Sequence, residues 1–163
     1  MTGIRIVKAE QKDIGDILAM IKELAEFENL LDQVVATEAL LQRTLFCAHP
    51  HAKALLIEAD GKRIGFAIFF YNFSTFLGQY GLYIEDLYIR EAYRGKGYAT
   101  EVLRYLSRLA IEENCGRIEW WVLDWNESAI NFYKKIGAVP MDEWTVFRLR
   151  DDAIKRLAES RKS

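Results

Sequence analysis

The chain is expected to fold as one mixed α/β domain over residues 1–163. Three features predict it. The length is enough to bury most of the apolar surface around a single core. Apolar periodicity switches from helical to strand-like and back along the chain. Three extended segments follow one another in the middle, which implies antiparallel neighbours, and a strand, helix, strand order later on implies a crossover.

Ile4 and Ile6 alternate with polar residues as a first strand. In KDIGDILAMIKELAEFE, Ile14, Ile17, Leu18, Ile21, Leu24 and Ala25 recur at three and four residues, an amphipathic helix with Asp13 placed to cap it. TEALLQRTLF repeats the pattern after Thr37 as a second, shorter helix. Extended segments are expected over Ala54–Ala59, Arg63–Phe73 and Tyr80–Ile89, the first two joined by DGK, a hairpin signal because Gly61 accepts positive φ. Helical spacing returns over Gly97–Glu113 through Val102, Leu103, Leu106, Leu109 and Ala110. RIEWWVL then reads as a strand, ESAINFYKKIG as a helix closed by Gly137, TVFRLR as a last strand and DDAIKRLAES as a short helix.

A formal charge of −2 with both signs interspersed gives no general attraction to nucleic acid or anionic lipid, so recognition must be local. The opening residues MTGIRIVKAEQKD lack an apolar leader, and no apolar run is long enough to span a bilayer; a cytoplasmic location is expected. Cys47 and Cys115 are isolated and read as reduced thiols, and His49 and His51 lack a third ligand, so no metal is expected.

Arg94-Gly95-Lys96-Gly97 lies between a strand and a helix. Such a loop exposes unpaired N–H groups at the helix start, and its glycines let a bulky anion come close to the backbone. A solvated turn is the alternative reading of the loop alone. The helix dipole contributes about 0.3–2 kcal/mol to holding an anion, with Arg94 and Lys96 adding charge. That falls short of the roughly 8 kcal/mol of a micromolar ligand, so other parts of the chain must also bind.

The spacing is neither a P-loop nor GxGxxG. Arg94-x-x-Gly97-x-Ala99 instead resembles the pyrophosphate-binding signature of the GNAT N-acetyltransferases, and the resemblance spreads over nearly the whole chain. IKELAEFE, YIEDLYI, YRGKGYATEVL, VLDWNESAINFYKKIGA and the segment around Trp144 are similar, in order, to the diamine acetyltransferase branch, which includes spermidine/spermine and thialysine acetyltransferases. The resemblance implies the GNAT fold, a largely antiparallel sheet with helices on both faces. It also implies acetyl-coenzyme A as cosubstrate, a small amine as substrate, and a homodimer.

An aliphatic ammonium, with a pKa near 10.4, cannot attack a thioester, so a base is needed. Glu85 and Asp86 would face opposite sides of a regular strand. The resemblance selects Glu85 as the residue that positions the amine and takes its proton; an exposed strand carboxylate is the plainer reading. It assigns the pantetheine arm and the thioester oxygen to the backbone of Leu87, Tyr88 and Ile89, and the pyrophosphate to Arg94, Gly95, Lys96, Gly97, Tyr98, Ala99 and Thr100. Tyr133 matches the tyrosine that donates to the coenzyme A sulfur, although Ile130, Phe132 and Ile136 around it equally suit a core position. Asn126 is placed to cap its helix, and Asn126, Glu127, Ser128 and Ala129 run beside the cofactor by resemblance. Phe27, Glu28, Glu119, Trp120, Trp121 and Glu143 border the implied amine site, though alternation forbids Trp120 and Trp121 from facing the same way.

Ser74 and Phe76 stand where polyamine-selective relatives carry an acid and a tryptophan, which leans toward the thialysine-type branch. Two other readings were weighed. One is a noncatalytic acetyl-coenzyme A-binding module; the other is a peptide or protein N-acetyltransferase with an open groove.

Overall fold

Period-two alternation of apolar residues builds a five-stranded sheet in the order β1-β2-β3-β4-β5. The strands are β1 (Arg5–Lys8), β2 (Lys53–Ala59), β3 (Lys62–Ser74), β4 (Gln79–Ile89) and β5 (Arg117–Trp120). The first four pair antiparallel and β5 joins β4 in parallel, giving the mixed sheet the sequence predicts. The structure, a computed structural model, describes residues 3–160. Its chain forms two compact units that divide after Trp121.

The first unit also holds α1 (Ile14–Phe27), α2 (Glu38–Leu45) and α3 (Tyr98–Glu112). Neighbouring residues of the central strands go to opposite clusters. Leu55, Ile57, Phe69, Leu82 and Ile84 pack against Val102, Leu106 and Ala110 of α3. Leu56, Phe66, Ile68 and Tyr88 pack against Ile17 and Met20 of α1, with Leu41 and Leu45 of α2 alongside. With both faces covered, β2 and β3 read as near-continuous apolar runs rather than clean alternation.

Polar contacts fix α1 along the sheet. Arg63 pairs with Asp13 and Asp16 at its start. Toward its end Glu23 accepts from Arg90 Nε at 3.0 Å and Nη2 at 2.8 Å, while Arg90 Nη1 donates to the Arg63 carbonyl at 2.9 Å. Asp13 does not cap α1 as expected: it ends a short 3₁₀ turn and accepts from the Glu10 N–H at 2.8 Å. Thr37 does cap α2, accepting from Leu40 N–H at 3.2 Å.

The second unit contains α4 (Glu127–Lys135) and α5 (Asp152–Glu159). The Gly137 stop is seen directly. Ala138 N–H bonds the Tyr133 carbonyl at 3.0 Å and Gly137 N–H the Lys134 carbonyl at 3.1 Å. Asn29 and Asn114, in the same left-handed conformation, end α1 and α3 with matching bonds.

Two strand expectations need correction. Thr145–Arg150 forms no strand: its alternation is present, but no described strand supplies a ladder, and Val146, Phe147 and Leu149 remain exposed. RIEWWVL is strand only as far as Trp120. The parallel register Gly81–Ile84 against Arg117–Trp120 stops where β4 bulges, because Asp86 faces Ile68 and Ile84 faces Phe69, leaving Glu85 unpaired.

Gly65 marks a close approach of β3 and β4. A Cβ there would collide with the Tyr88 carbonyl oxygen and sit 2.8 Å from Ile89 Cδ1. Gly65→Ala is therefore expected to cost about 1–3 kcal/mol, read from the urea midpoint at unchanged slope. A midpoint equal to the parent's would show that the two strands can part there without penalty.

Candidate active site

The loop after β4 leads into α3 through Gly95 and Gly97, at φ +75° and +80°. At both positions a Cβ would meet nothing within 4 Å, so the backbone lies open to an approaching group. Arg94 N–H is used by the Glu91 carbonyl at 3.0 Å, and the α3 ladder begins with Glu101 N–H on the Gly97 carbonyl at 3.2 Å. Between them, no described backbone carbonyl accepts from Gly95, Lys96, Gly97, Tyr98, Ala99 or Thr100. Successive free N–H groups at the positive end of a 15-residue helix fit a pyrophosphate.

The two cations of the loop divide their roles. The Arg94 guanidinium lies 4.5 Å from the Phe27 ring centroid and 5.5 Å from that of Tyr88, and Nε donates to the Ile89 carbonyl at 2.8 Å. Its side chain thus links the loop to β4 and the end of α1, which departs from a simple phosphate contact. Lys96 is exposed, with Nζ 5.5 Å from the Tyr93 ring centroid.

Beyond Ile84, β4 has β3 on one side and an open edge on the other. Arg90 N–H bonds the Ile64 carbonyl at 2.8 Å, so antiparallel alternation directs the Tyr88 backbone at Phe66 as well. The backbone groups of Leu87 and Ile89 therefore point to the open edge. A pantetheine-like arm finds strand-pairing groups there on Leu87 and Ile89 rather than on Tyr88. The Tyr88 hydroxyl instead donates to Glu23 at 3.3 Å.

The bulge also decides where the acids point. Ile84 and Leu87 both pack on the α3 side, so Glu85 and Asp86 occupy the interval together instead of facing opposite sides. Glu85 is exposed and Asp86 is half-buried. Burial, then the neighbouring charges of Glu85 and Glu28, push the Asp86 carboxyl from 3.8 up to about 7. Burial raises Glu28 as well. Glu28, Glu85 and Asp86 form one carboxylate cluster beside the open edge, with Phe27 next to it on α1. Regular alternation sets Asp86 on the opposite side from Glu85, and only the bulge brings the two together.

The other expected residues separate. Trp120 packs into the α3-side core, whereas Trp121 stands edge-on to Tyr83, ring centroids 6.2 Å apart, on the face that carries Asp86. Glu119 shares that face and pairs with Arg117 at 2.8 Å. Ser74 is buried in the β3–β4 hairpin, where its hydroxyl accepts from Leu77 N–H at 3.2 Å, and Phe76 is exposed at the hairpin tip. In the second unit Asn126 caps α4 by accepting from Ala129 N–H at 3.2 Å, so that side-chain oxygen has a structural partner. Glu127 and Ser128 are exposed in the first turn of α4, Tyr133 lies in its last turns with its ring 5.5 Å from that of Phe132, and Glu143 occupies an exposed turn. Among the described residues there is no cluster of metal-ligating side chains and no helix long and apolar enough to cross a membrane.

The raised Asp86 carboxyl makes a stability prediction. Between about pH 4 and pH 7 the folded chain retains a proton that the unfolded chain releases, so the contribution of Asp86 to stability falls as pH rises through that window. Asp86→Asn, which cannot ionise, should at pH 8 match or exceed the parent in urea midpoint, by at most about 4 kcal/mol, and the gain should vanish near pH 4. A variant less stable than the parent at pH 8 would mean that the carboxylate is paired rather than desolvated.

Comparison with known proteins finds relatives over nearly the whole chain. The family model described as acetyltransferase (GNAT) family matches residues 18–138. Thialysine N-epsilon-acetyltransferase of Mus musculus is 36% identical, covering 97% of this chain and 99% of its own length. An L-ornithine N5-acetyltransferase of Arabidopsis thaliana is 32% identical over 94% of this chain and 87% of its own length. Among solved structures, an integron cassette protein from the mobile metagenome of V. cholerae superposes with a TM-score of 0.81 at 26% identity, covering 98% of this chain and 99% of that one. A family model over most of the chain and a relative 36% identical over nearly its whole length show that the chain belongs to the GNAT family of acetyltransferases.

Proposed function

We propose that this acetyltransferase moves acetyl from acetyl-coenzyme A directly to a primary amine of a small diamine, polyamine, or thialysine- or lysine-like amino acid. This reading takes residues 1–163 as a single acetyltransferase domain, supported by a relative matched over 97% of the chain. The observation that carries it is the carboxylate cluster of Glu28, Glu85 and Asp86 set against the open edge of β4. Relatives named for thialysine and ornithine acetylation support the choice of amine.

Acetyl-coenzyme A, when bound, supplies an activated thioester. The free N–H groups from Gly95 to Thr100 hold its pyrophosphate, with Lys96 adding charge. Leu87 and Ile89 orient the arm along the open edge, and the Leu87 N–H is the donor available to the thioester oxygen. Glu28 and Glu85 attract the ammonium, and Asp86, poised near neutrality, takes its proton. Glu85, the base implied by family resemblance, stands beside it as the exposed member of the pair. Tyr133 O–H donates the proton that the leaving sulfur requires.

Coenzyme A thiol release should be measured against thialysine, lysine, ornithine, putrescine, spermidine, spermine and a lysine-containing peptide. Saturable turnover on the small amines is expected, and turnover confined to the peptide would sink the proposal. The kcat/KM for the best amine should rise with pH through about 7, as Asp86 loses its proton, and level off above it. Asp86→Asn should remove that limb and lower kcat/KM by about 10²-fold or more. If Glu85→Gln removes it instead, the base is Glu85. Tyr133→Phe should keep cofactor affinity, measured by calorimetry, while kcat falls by about 10²-fold or more; unchanged kcat would remove Tyr133 as the acid.

A further inference from the structure

The sheet face that carries Asp86 continues through Phe70, Asn72, Tyr83, Glu119 and Trp121. Tyr83 stands between Phe70 and Trp121, with ring centroids 4.9 and 6.2 Å away. Beside this aromatic row lies a polar group that has no part in the chemistry above. Arg117 Nε is 2.8 Å from Glu119 Oε1, out of line for a hydrogen bond, and both Arg117 Nε and Asn72 Oδ1 are buried atoms with no hydrogen-bond partner among the described residues. Asn72 Nδ2 faces Glu119 Oε1 at 3.4 Å, which identifies Oδ1 as the unused acceptor. Gly81 makes room for the group: a Cβ there would collide with Asn72 Oδ1 and sit 3.1 Å from Arg117 Cγ.

An unpaired buried acceptor is unfavourable, and among the described residues the hydrogen bonding of the Arg117 guanidinium, which is ion-paired with Glu119, is limited to Nη2 on the Phe73 carbonyl at 3.4 Å. Both deficits are met by one kind of guest. Arg117 and Glu119 neutralise each other across 2.8 Å, so the pair offers a donor edge and an acceptor edge side by side rather than a free charge: Glu119 and Asn72 Oδ1 suit an N–H donor, and Arg117 suits an anion. A diamine brings only the first. An α-amino acid brings both on one carbon, and the side chains of Arg117 and Glu119 are 38% and 37% exposed, open enough to be reached.

We propose that Arg117, Glu119 and Asn72 form a subsite for the α-amino-acid head of the amine substrate, so that the enzyme selects a lysine-length amino acid over the corresponding diamine. This rests on the N-acetyltransferase reading above. Spacing supports it: Glu119 pairs with Tyr83, and Asp86 lies further along the same strand, on the order of 10 Å away at about 3.3 Å per residue. A four- or five-atom side chain with a hydrogen bond at each end covers that span. The Tyr83 and Trp121 rings would flank its apolar middle.

The test compares kcat/KM for L-lysine and thialysine with that for cadaverine, the decarboxylated counterpart of lysine. The parent should favour the amino acids at least tenfold. Arg117→Gln should bring that ratio close to one, Arg117→Lys should restore part of it, and Glu119→Gln should lower amino acid and diamine together. Cadaverine turnover reports folded enzyme in the Arg117 variants, and an unchanged urea midpoint does so for Glu119→Gln, so a misfolded variant does not imitate the result. A parent ratio near or below one, or an Arg117→Gln variant that loses both substrates by the same factor, overturns the subsite while leaving the acetyltransferase standing. Turnover of spermidine but of neither lysine nor thialysine does the same. Absence of turnover on every amine would instead sink the functional reading on which the subsite rests.

Discussion

Glu85 has no partner across β3, and much of what the site can do follows from that one extra residue. Ahead of it, β4 keeps a ladder on both sides; after it, the strand turns from β5 and keeps only β3. A bulge bends the strand and changes which residues face which way. Here it opens the edge that presents Leu87 and Ile89, and it brings two carboxylates into the space that one would occupy in a regular strand. The same irregularity ends β5 at Trp120.

A strand that has lost one neighbour needs to be held from elsewhere. Glu23 of α1 ties down Arg90 just past β4, Arg90 reaches the Arg63 carbonyl, and Arg63 returns to the start of α1 through Asp13 and Asp16. Arg94 extends this frame into the glycine loop by donating to Ile89 and covering Phe27 and Tyr88. These pairs are partly exposed, so each contributes modestly to stability. Their geometric consequence is larger: the loop that would bind an anion and the end of α1 are both attached to the last residues of β4, Tyr88 and Ile89.

The acids show a functional demand working against stability. Partial burial of Asp86 near Glu28 and Glu85 disfavours its charged form, and no side-chain hydrogen bond among the described residues compensates it. Such a group is useful where a cation must be met and a proton taken near neutral pH. Asn72 and Arg117 follow the same logic a short way along the face, with polar atoms left unused inside an otherwise well-paired sheet.

The sequence by itself determined the element order, because apolar periodicity and turn chemistry are local. Strand ends for β2 to β4, α3, the Thr37 and Asn126 caps and the Gly137 stop were all legible within about a residue. The glycine loop and the acidic pair were legible as residues in a motif. Which of them face the same way was not, since that depends on pairing with distant strands. Strict alternation separates Glu85 from Asp86, and only the register of β3 against β4 puts them together. Alternation alone set Trp120 and Trp121 on opposite faces, but which of the two enters the α3-side core was decided by the sheet. TVFRLR shows the converse: alternation makes a strand possible, but a ladder must be supplied by another segment, and here none of the described strands supplies it. Arg117 and Asn72, 45 residues apart in the chain, became neighbours only because Gly81 lies between them in the sheet with no side chain to keep them apart.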